Sequence, residues 1–312
     1  MKKIIFGLLT IFIGVIAVSV SKQNVPLVTT NQKPSLAVYC SLSGQLTNNK
    51  LIQSHHSYCM RSDSSTKKFT ANTPNTYSFS IIDDEGSVIK NFAVTHTKPM
   101  HVIIARKDLA YFQHVHPAFD NDTGLFSFTD LKFPADGEYR IFADFAVREE
   151  VKYPLVTTIS EDITVGTGAD YTKQDIGSEE RTKNFGNMNV SLQIKPSKTV
   201  SGSETLLTYN LNEFKQTNKP ITDLQTYLGA LGHAVVLGEG TLDFIHAHPI
   251  EDLTKQQTGK VSFIVDFPKP GKYKVFTQFQ RGGEVVTTDF VVTVSAGSEN
   301  KSTMEMTHEM NH

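Results

Sequence analysis

The chain opens with "MKKIIFGLLTIFIGVIAVSV", in which two lysines precede an apolar run from Ile4 to Val20 broken only by Thr10 and Ser19, and then turns polar at "SKQN". A basic start, an apolar stretch and the small residues Ala17-Val18-Ser19 form the pattern of an export signal. The run is also long enough to remain as an uncleaved, tilted anchor. Beyond residue 70 the pattern changes to short apolar runs of strand length, such as "TYSFSIIDDEGSVIKNF" and "YPLVTTISEDITV", separated by polar turn clusters. Alternation of this kind, without helical periodicity, predicts antiparallel strands.

The strands repeat. "PMHVIIARKDLAYFQHVHP" (Pro99 to Pro117) aligns without a gap on "LGHAVVLGEGTLDFIHAHP" (Leu231 to Pro249), and "FPADGEYRIFADF" (Phe133 to Phe145) matches "FPKPGKYKVFTQF" (Phe267 to Phe279). Two copies are too few for a solenoid or propeller. The expected fold is all-β: two tandem immunoglobulin-like antiparallel β-sandwich domains behind the N-terminal segment. The divisions are 1–20 as signal peptide or anchor, 21–69 as a linker or small cysteine-containing module, and 70–166 as the first sandwich. A polar linker at 167–186, a second sandwich at 187–296 and a flexible Met/His tail at 297–312 complete the chain.

Both repeats carry H-x12-H-x-H-P, as His101, His114 and His116 in the first and His233, His246 and His248 in the second. A hairpin turning at Lys107-Asp108 sets His101 opposite His114, and one turning at Glu239-Gly240 sets His233 opposite His246. The third histidine, two residues further along, shares that face. Three imidazoles so placed can bind one copper or zinc ion with a position left open. Asp108, Asp130, Asp243 and Asp266 are the nearby acceptors that could orient them. Met100 offers the first copy a soft fourth ligand where the second has Gly232. His96 lacks a counterpart, its equivalent falling near Thr226-Tyr227, and reads as an ordinary surface residue.

Two cysteines, Cys40 and Cys59, fit a disulfide in an exported chain. The alternative groups His55, His56, Cys59 and Met60 of "HHSYCM" as metal ligands. In the tail, Met304, Met306, His308, Met310 and His312 have no core to fill and suit copper. A formal net charge of −2 supplies no basic field for nucleic acid. Membrane contact is expected only through the first twenty residues, if they are retained.

"TYLGALGHAVVLGEGTLDFIHAHP" resembles the motif of bacterial exported β-sandwich proteins that carry YLGAxGH followed by HxHP. These are similar in character to small periplasmic and cell-wall copper-handling domains. The resemblance implies an immunoglobulin-like fold and an association with copper homeostasis. The first repeat departs from it, with "THTKPMH" in place of "YLGALGH".

The expected function is therefore an exported metal-binding protein, a carrier or buffer for copper with zinc as the alternative, working in the periplasm, at the cell surface or outside the cell. Other exported metal-handling proteins are the natural partners. A copper- or zinc-dependent enzyme is the second reading, although no G-x-S-x-G or P-loop is present. An adhesion or interaction module with structural histidines is the third.

Overall fold

The computed structural model describes residues 37–41, 44–47, 50–53, 57–62, 68–148, 156–167, 171–247, 249–250 and 258–297, with side chains from Ser57 onward. The expected signal segment and the tail residues Met304, Met306, His308, Met310 and His312 lie outside the described residues, as do His55, His56 and His248.

The first part of the chain forms β1 (Ala37–Ser41), β2 (Gly44–Thr47), β3 (Lys50–Gln53), β4 (Tyr58–Ser62), β5 (Asn75–Ile82) and β6 (Phe92–Ala93). It continues through β7 (Met100–Arg106), β8 (Phe112–Val115), β9 (Ala118–Asp120), β10 (Leu125–Leu131), β11 (Gly137–Val147) and β12 (Val156–Val165). One sheet runs β1-β4-β5-β10-β9 and the other β12-β11-β7-β8, with β6 also on β11. Between them lies a core that includes Tyr77, Phe79, Phe126, Phe133 and Phe145.

The second part supplies β13 (Thr182–Phe185), β14 (Met188–Lys195), β15 (Glu204–Glu213), β16 (Gln216–Pro220) and β17 (Leu224–Gln225). β18 (His233–Gly238), β19 (Phe244–Ala247), β20 (Lys260–Asp266), β21 (Gly271–Arg281) and β22 (Glu284–Val294) follow. Its sheets run β13-β14-β15-β16, with β20 on β15, and β17-β21-β18-β19, with β22 on β21. The chain is thus all-β, in two antiparallel sandwiches. In each, a buried tyrosine hydroxyl donates to a carbonyl four residues upstream, Tyr139 to Ala135 at 2.7 Å and Tyr273 to Lys269 at 2.9 Å, as tyrosine corners do in immunoglobulin-like domains.

The expected linker or small cysteine-containing module at 21–69 is corrected for its described strands β1 and β4. β1 and β4 pair within the first sandwich's own sheet, and Tyr58 and Met60 are part of its core. Cys59 is disulfide-bonded, and Cys40, the other cysteine of the sequence, stands opposite it in the β1–β4 ladder. Its sulfur is therefore not available to a metal. Met60 is also no ligand, since it is fully buried with the Tyr77 hydroxyl 3.9 Å from its sulfur.

β7 and β18 are buried along their whole length. An antiparallel strand needs an apolar residue at every position only when both faces are covered. Met100, Val102 and Ile104 point into the first core, whereas Ile103 and Ala105 pack against the second domain. Ala234 and Val236 likewise face their own core while Val235 and Leu237 face the first domain. The sandwiches therefore pack sheet against sheet. Ile176, from the segment expected to be a free linker, is buried in the same seam, and Gln174 N–H donates to Asp108 at 2.9 Å.

The seam has pseudo-two-fold character. Phe112 stacks on Phe276 at 4.3 Å between ring centroids, and their repeat equivalents exchange the contact, Phe244 stacking on Phe142 at 5.0 Å. Aromatic pairs of this kind are worth about 0.5–1.5 kcal/mol beyond the area they bury. Phe276→Ala is expected to cost about 3 kcal/mol and to split a single calorimetric unfolding transition into two, one per sandwich. A single unshifted transition would show that the seam does not couple the domains.

Candidate metal centre

The sheets that meet at the seam carry the histidines. His101 is on β7 and His114 on β8, and both are buried, as is His233 on β18. His246 stands on β19, and His116 follows the end of β8. The registers differ from the expected ones by two residues. Ile103 pairs with His114, and Val235 pairs with His246. Each turn is therefore centred about one residue later than expected. Arg106 N–H donates to Tyr111 O in the first hairpin, and Gly238 N–H donates to Asp243 O in the second. A slip of two preserves the face of every side chain, so the described histidines of each hairpin still point the same way.

The two groups do not stand apart in their own domains. His101 stacks against His233 at 5.7 Å between centroids, and His114 against His233 at 5.2 Å. The described members of the two expected triads, His101, His114, His116, His233 and His246, thus converge on one interdomain cluster. Among the described residues, the ligand nitrogens of His101, His114 and His233 lie within 4.8 Å of one another and could hold a metal ion. His101 Nδ1 is 3.1 Å from His114 Nε2 and 3.1 Å from His116 Nε2. Two nitrogens bound to one ion at imidazole–zinc distances stand about 2.9–3.4 Å apart, so these spacings suit a shared cation. His246 Nε2 faces His233 Nε2.

The outer ring nitrogens decide what the inner ones present. His101 Nε2 is 2.9 Å from the Thr95 carbonyl, which can only accept, so the proton is on Nε2 and Nδ1 is a lone pair. His114 Nδ1–H donates to Gln278 Oε1 at 2.9 Å, leaving Nε2 bare. His246 Nδ1–H donates to Asp144 Oδ2 at 2.7 Å, leaving its Nε2 bare as well. Lone pairs therefore face each other across 3.1 Å between His101 and His114. A cation between them turns this repulsion into coordination, and the donor set fits copper or zinc.

The orienting acceptors are not the expected aspartates. Asp108 pairs with Arg106, and Asp243 with Lys269 and Thr241. Asp130 pairs with Lys132 at the surface, and Asp266 sits on β20 in the sheet away from the seam. Asp144 and Gln278, equivalent positions of the second repeat motif, do this work, and each serves the other domain's histidine. Opposite His101 and His233 in their ladders, they lie on the seam face. Met100 is no ligand either, because it points into the first core. The same position in the second domain, Gly232, has no room for a side chain, with Phe279 2.9 Å from where a Cβ would be.

His96 is corrected from surface residue to member of the cluster. Thr95 and Lys98 exchange backbone hydrogen bonds around His96 and Thr97, as Tyr227 and Ala230 do around Leu228 and Gly229. All four central residues have positive φ, at 48° and 70° in the first turn and 53° and 85° in the second. "THTK" and "YLGA" thus form the same type I′-like turn, and the true counterpart of His96 is Leu228. The turn sets the His96 ring 5.3 Å from His233 and 5.7 Å from His246.

A family model described as "Domain of unknown function (DUF8832)" matches residues 58–161 and again 183–296, well over half of the chain. The chain belongs to this family. Each DUF8832 match covers one sandwich, and the first contains His96, His101, His114 and His116 while the second contains His233, His246 and His248. No curated protein matches. Among solved structures, Escherichia coli alpha-2-macroglobulin aligns at 11% identity over 83% of this chain and 26% of its own, with a TM-score of 0.26. The Escherichia coli adhesin FdeC aligns at 12% identity over 83% of this chain and 74% of its own, with a TM-score of 0.25. The chain thus spans about a quarter of the macroglobulin.

Burial depresses the basicity of His96, His101, His114, His116 and His246. His114 falls from the usual 6.5 to about 2, through burial first and then the neighbouring His116 and His101. His116 falls to about 4 through burial and His101, and His246 falls well below its usual value through burial. His96 and His101 are lowered too, again by burial, with Asp144 opposing. These rings are neutral at pH 7 and hold lone pairs for a metal. The folded state binds fewer protons than the unfolded one, so this stability is fully present above pH 6.5 and is lost as the pH falls below it. The melting temperature of metal-free protein is expected to drop between pH 6.5 and 4, and His114→Gln to flatten that slope; equal slopes in both proteins would contradict neutral burial.

Proposed function

We propose that the chain is an exported metal-binding protein that holds copper in the interdomain histidine cluster and acts as a carrier or buffer. The observation that carries this reading is the tautomer pattern: outer nitrogens of His101, His114 and His246 are tied to Thr95, Gln278 and Asp144, and the inner nitrogens converge as lone pairs. Where His101 and His114 meet, neutral structural histidines would instead set a donor against an acceptor. Among divalent ions, an all-imidazole set favours copper(II) over zinc(II). The resemblance of "YLGALGH" and "HAHP" to exported copper-handling domains supports the same ion, and the basic, apolar N-terminus supports export. A carrier is favoured over an enzyme because His101 and His233 are each only 1% exposed, which keeps solvent from them.

Titration of the full chain with Cu(I), Cu(II) and Zn(II) tests this. Copper(II) is expected to bind more tightly than zinc and to raise the melting temperature. A ligand of the native state at about 1,000 times its Kd adds about 4 kcal/mol. The triple variant His101→Ala, His114→Ala, His233→Ala is expected to lose that shift. If it binds as much metal as the parent, the cluster is not the site. Turnover by loaded protein that vanishes in the variant would replace the carrier with an enzyme.

A further inference from the structure

The six imidazoles of the cluster among the described residues are more than a protein zinc site uses. Structural zinc takes four ligands and catalytic zinc four or five, yet His96, His101, His114, His116, His233 and His246 all lie in ring contact within the cluster. Their nitrogen contacts fall into two groups, with His233 of the second also within 4.8 Å of His101 and His114. On one side His101 Nδ1 stands 3.1 Å from both His114 Nε2 and His116 Nε2. On the other, His233 and His246 present their Nε2 atoms to each other with the His96 ring against both. Each side has its own orienting acceptor, Gln278 for His114 and Asp144 for His246.

We propose that the cluster is a dinuclear centre, one ion held by His101, His114 and His116 and a neighbouring ion held by His233, His246 and His96. This rests on the reading of the chain as a metal-binding protein. The two positions are not equivalent. A carboxylate makes the imidazole that it holds a stronger donor than an amide does, so the ion on His246, backed by Asp144, binds first. Repulsion between two dications then weakens the second.

The test is copper(II) loading of the full chain, removal of unbound metal, elemental analysis and electron paramagnetic resonance. Two coppers per chain are expected. The resonance should grow as an isolated signal through the first equivalent and then broaden as the second ion couples to it. His116→Ala, at the half-buried rim, is expected to retain one copper with an isolated signal, its fold checked by an unchanged metal-free melting profile. His96→Leu, which installs the residue of the other repeat, should weaken the first ion. Asp144→Asn should lower that ion's affinity about 10- to 100-fold while leaving capacity at two. One copper per chain with an isolated signal in the parent, or two coppers retained by His116→Ala, overturns the pair and leaves metal binding standing. No bound metal at all overturns both readings.

Discussion

Two hydrogen bonds that cross between the domains, His114 Nδ1–H to Gln278 and His246 Nδ1–H to Asp144, tie the chemistry of the site to the packing of the molecule. A buried imidazole without a partner is costly. Here each partner comes from the opposite sandwich. The rotation and tautomer of both rings are therefore fixed only when the sheets are docked, and a displacement of about 1 Å between domains would lengthen both bonds beyond useful range. The supporting side chains are held in turn, since Thr158 donates to Asp144 at 2.6 Å and Gln278 donates to Thr287 at 3.2 Å.

The same reciprocity runs through the whole seam. Phe112 with Phe276 and Phe142 with Phe244 exchange equivalent partners, as residues of an isologous dimer do. In such an arrangement, residues near the axis meet their own equivalents, which is why His101 lies on His233. Duplication within one chain frees the halves to diverge while the axis remains. The pair Asp144 and Gln278 shows it, with equal positions and equal tasks but charge on only one side.

Much of this was legible in the sequence, and the failures have a common cause. Strand alternation, the repeat and the shared face of each hairpin's described histidines follow from local periodicity, and a register error of two left those faces intact. Invisible were the residues whose roles depend on the opposite domain. Asp144 sits in "FADF" and Gln278 in "FTQF", where a polar residue on a mostly buried strand was the available signal. The continuous burial of "HVIIAR" and "HAVVLG" was a second signal, because a strand apolar on both faces must be covered on both. Read together, they would have joined two expected sites into one.

His96 is where backbone cost and site chemistry meet. Its turn requires positive φ at both central residues, a conformation that glycine adopts freely and a β-branched residue resists. The second domain has glycine at 229, whereas the first has threonine at 97 with φ of 70°. Holding non-glycine residues there costs on the order of 1–3 kcal/mol each. The strained turn is held where the domains meet, with the Thr97 methyl 3.7 Å from where Gly229 would carry a Cβ. A Cβ there would meet that methyl at ordinary van der Waals distance, so what glycine supplies at 229 is freedom to hold a φ of 85°. What the strain secures is the position of the intervening histidine, whose ring reaches His233 and His246 of the other domain rather than solvent. Leu228 occupies the same backbone conformation without bringing a nitrogen, so the first domain's departure from the "YLGALGH" pattern adds a donor to the cluster without changing the shape of the turn.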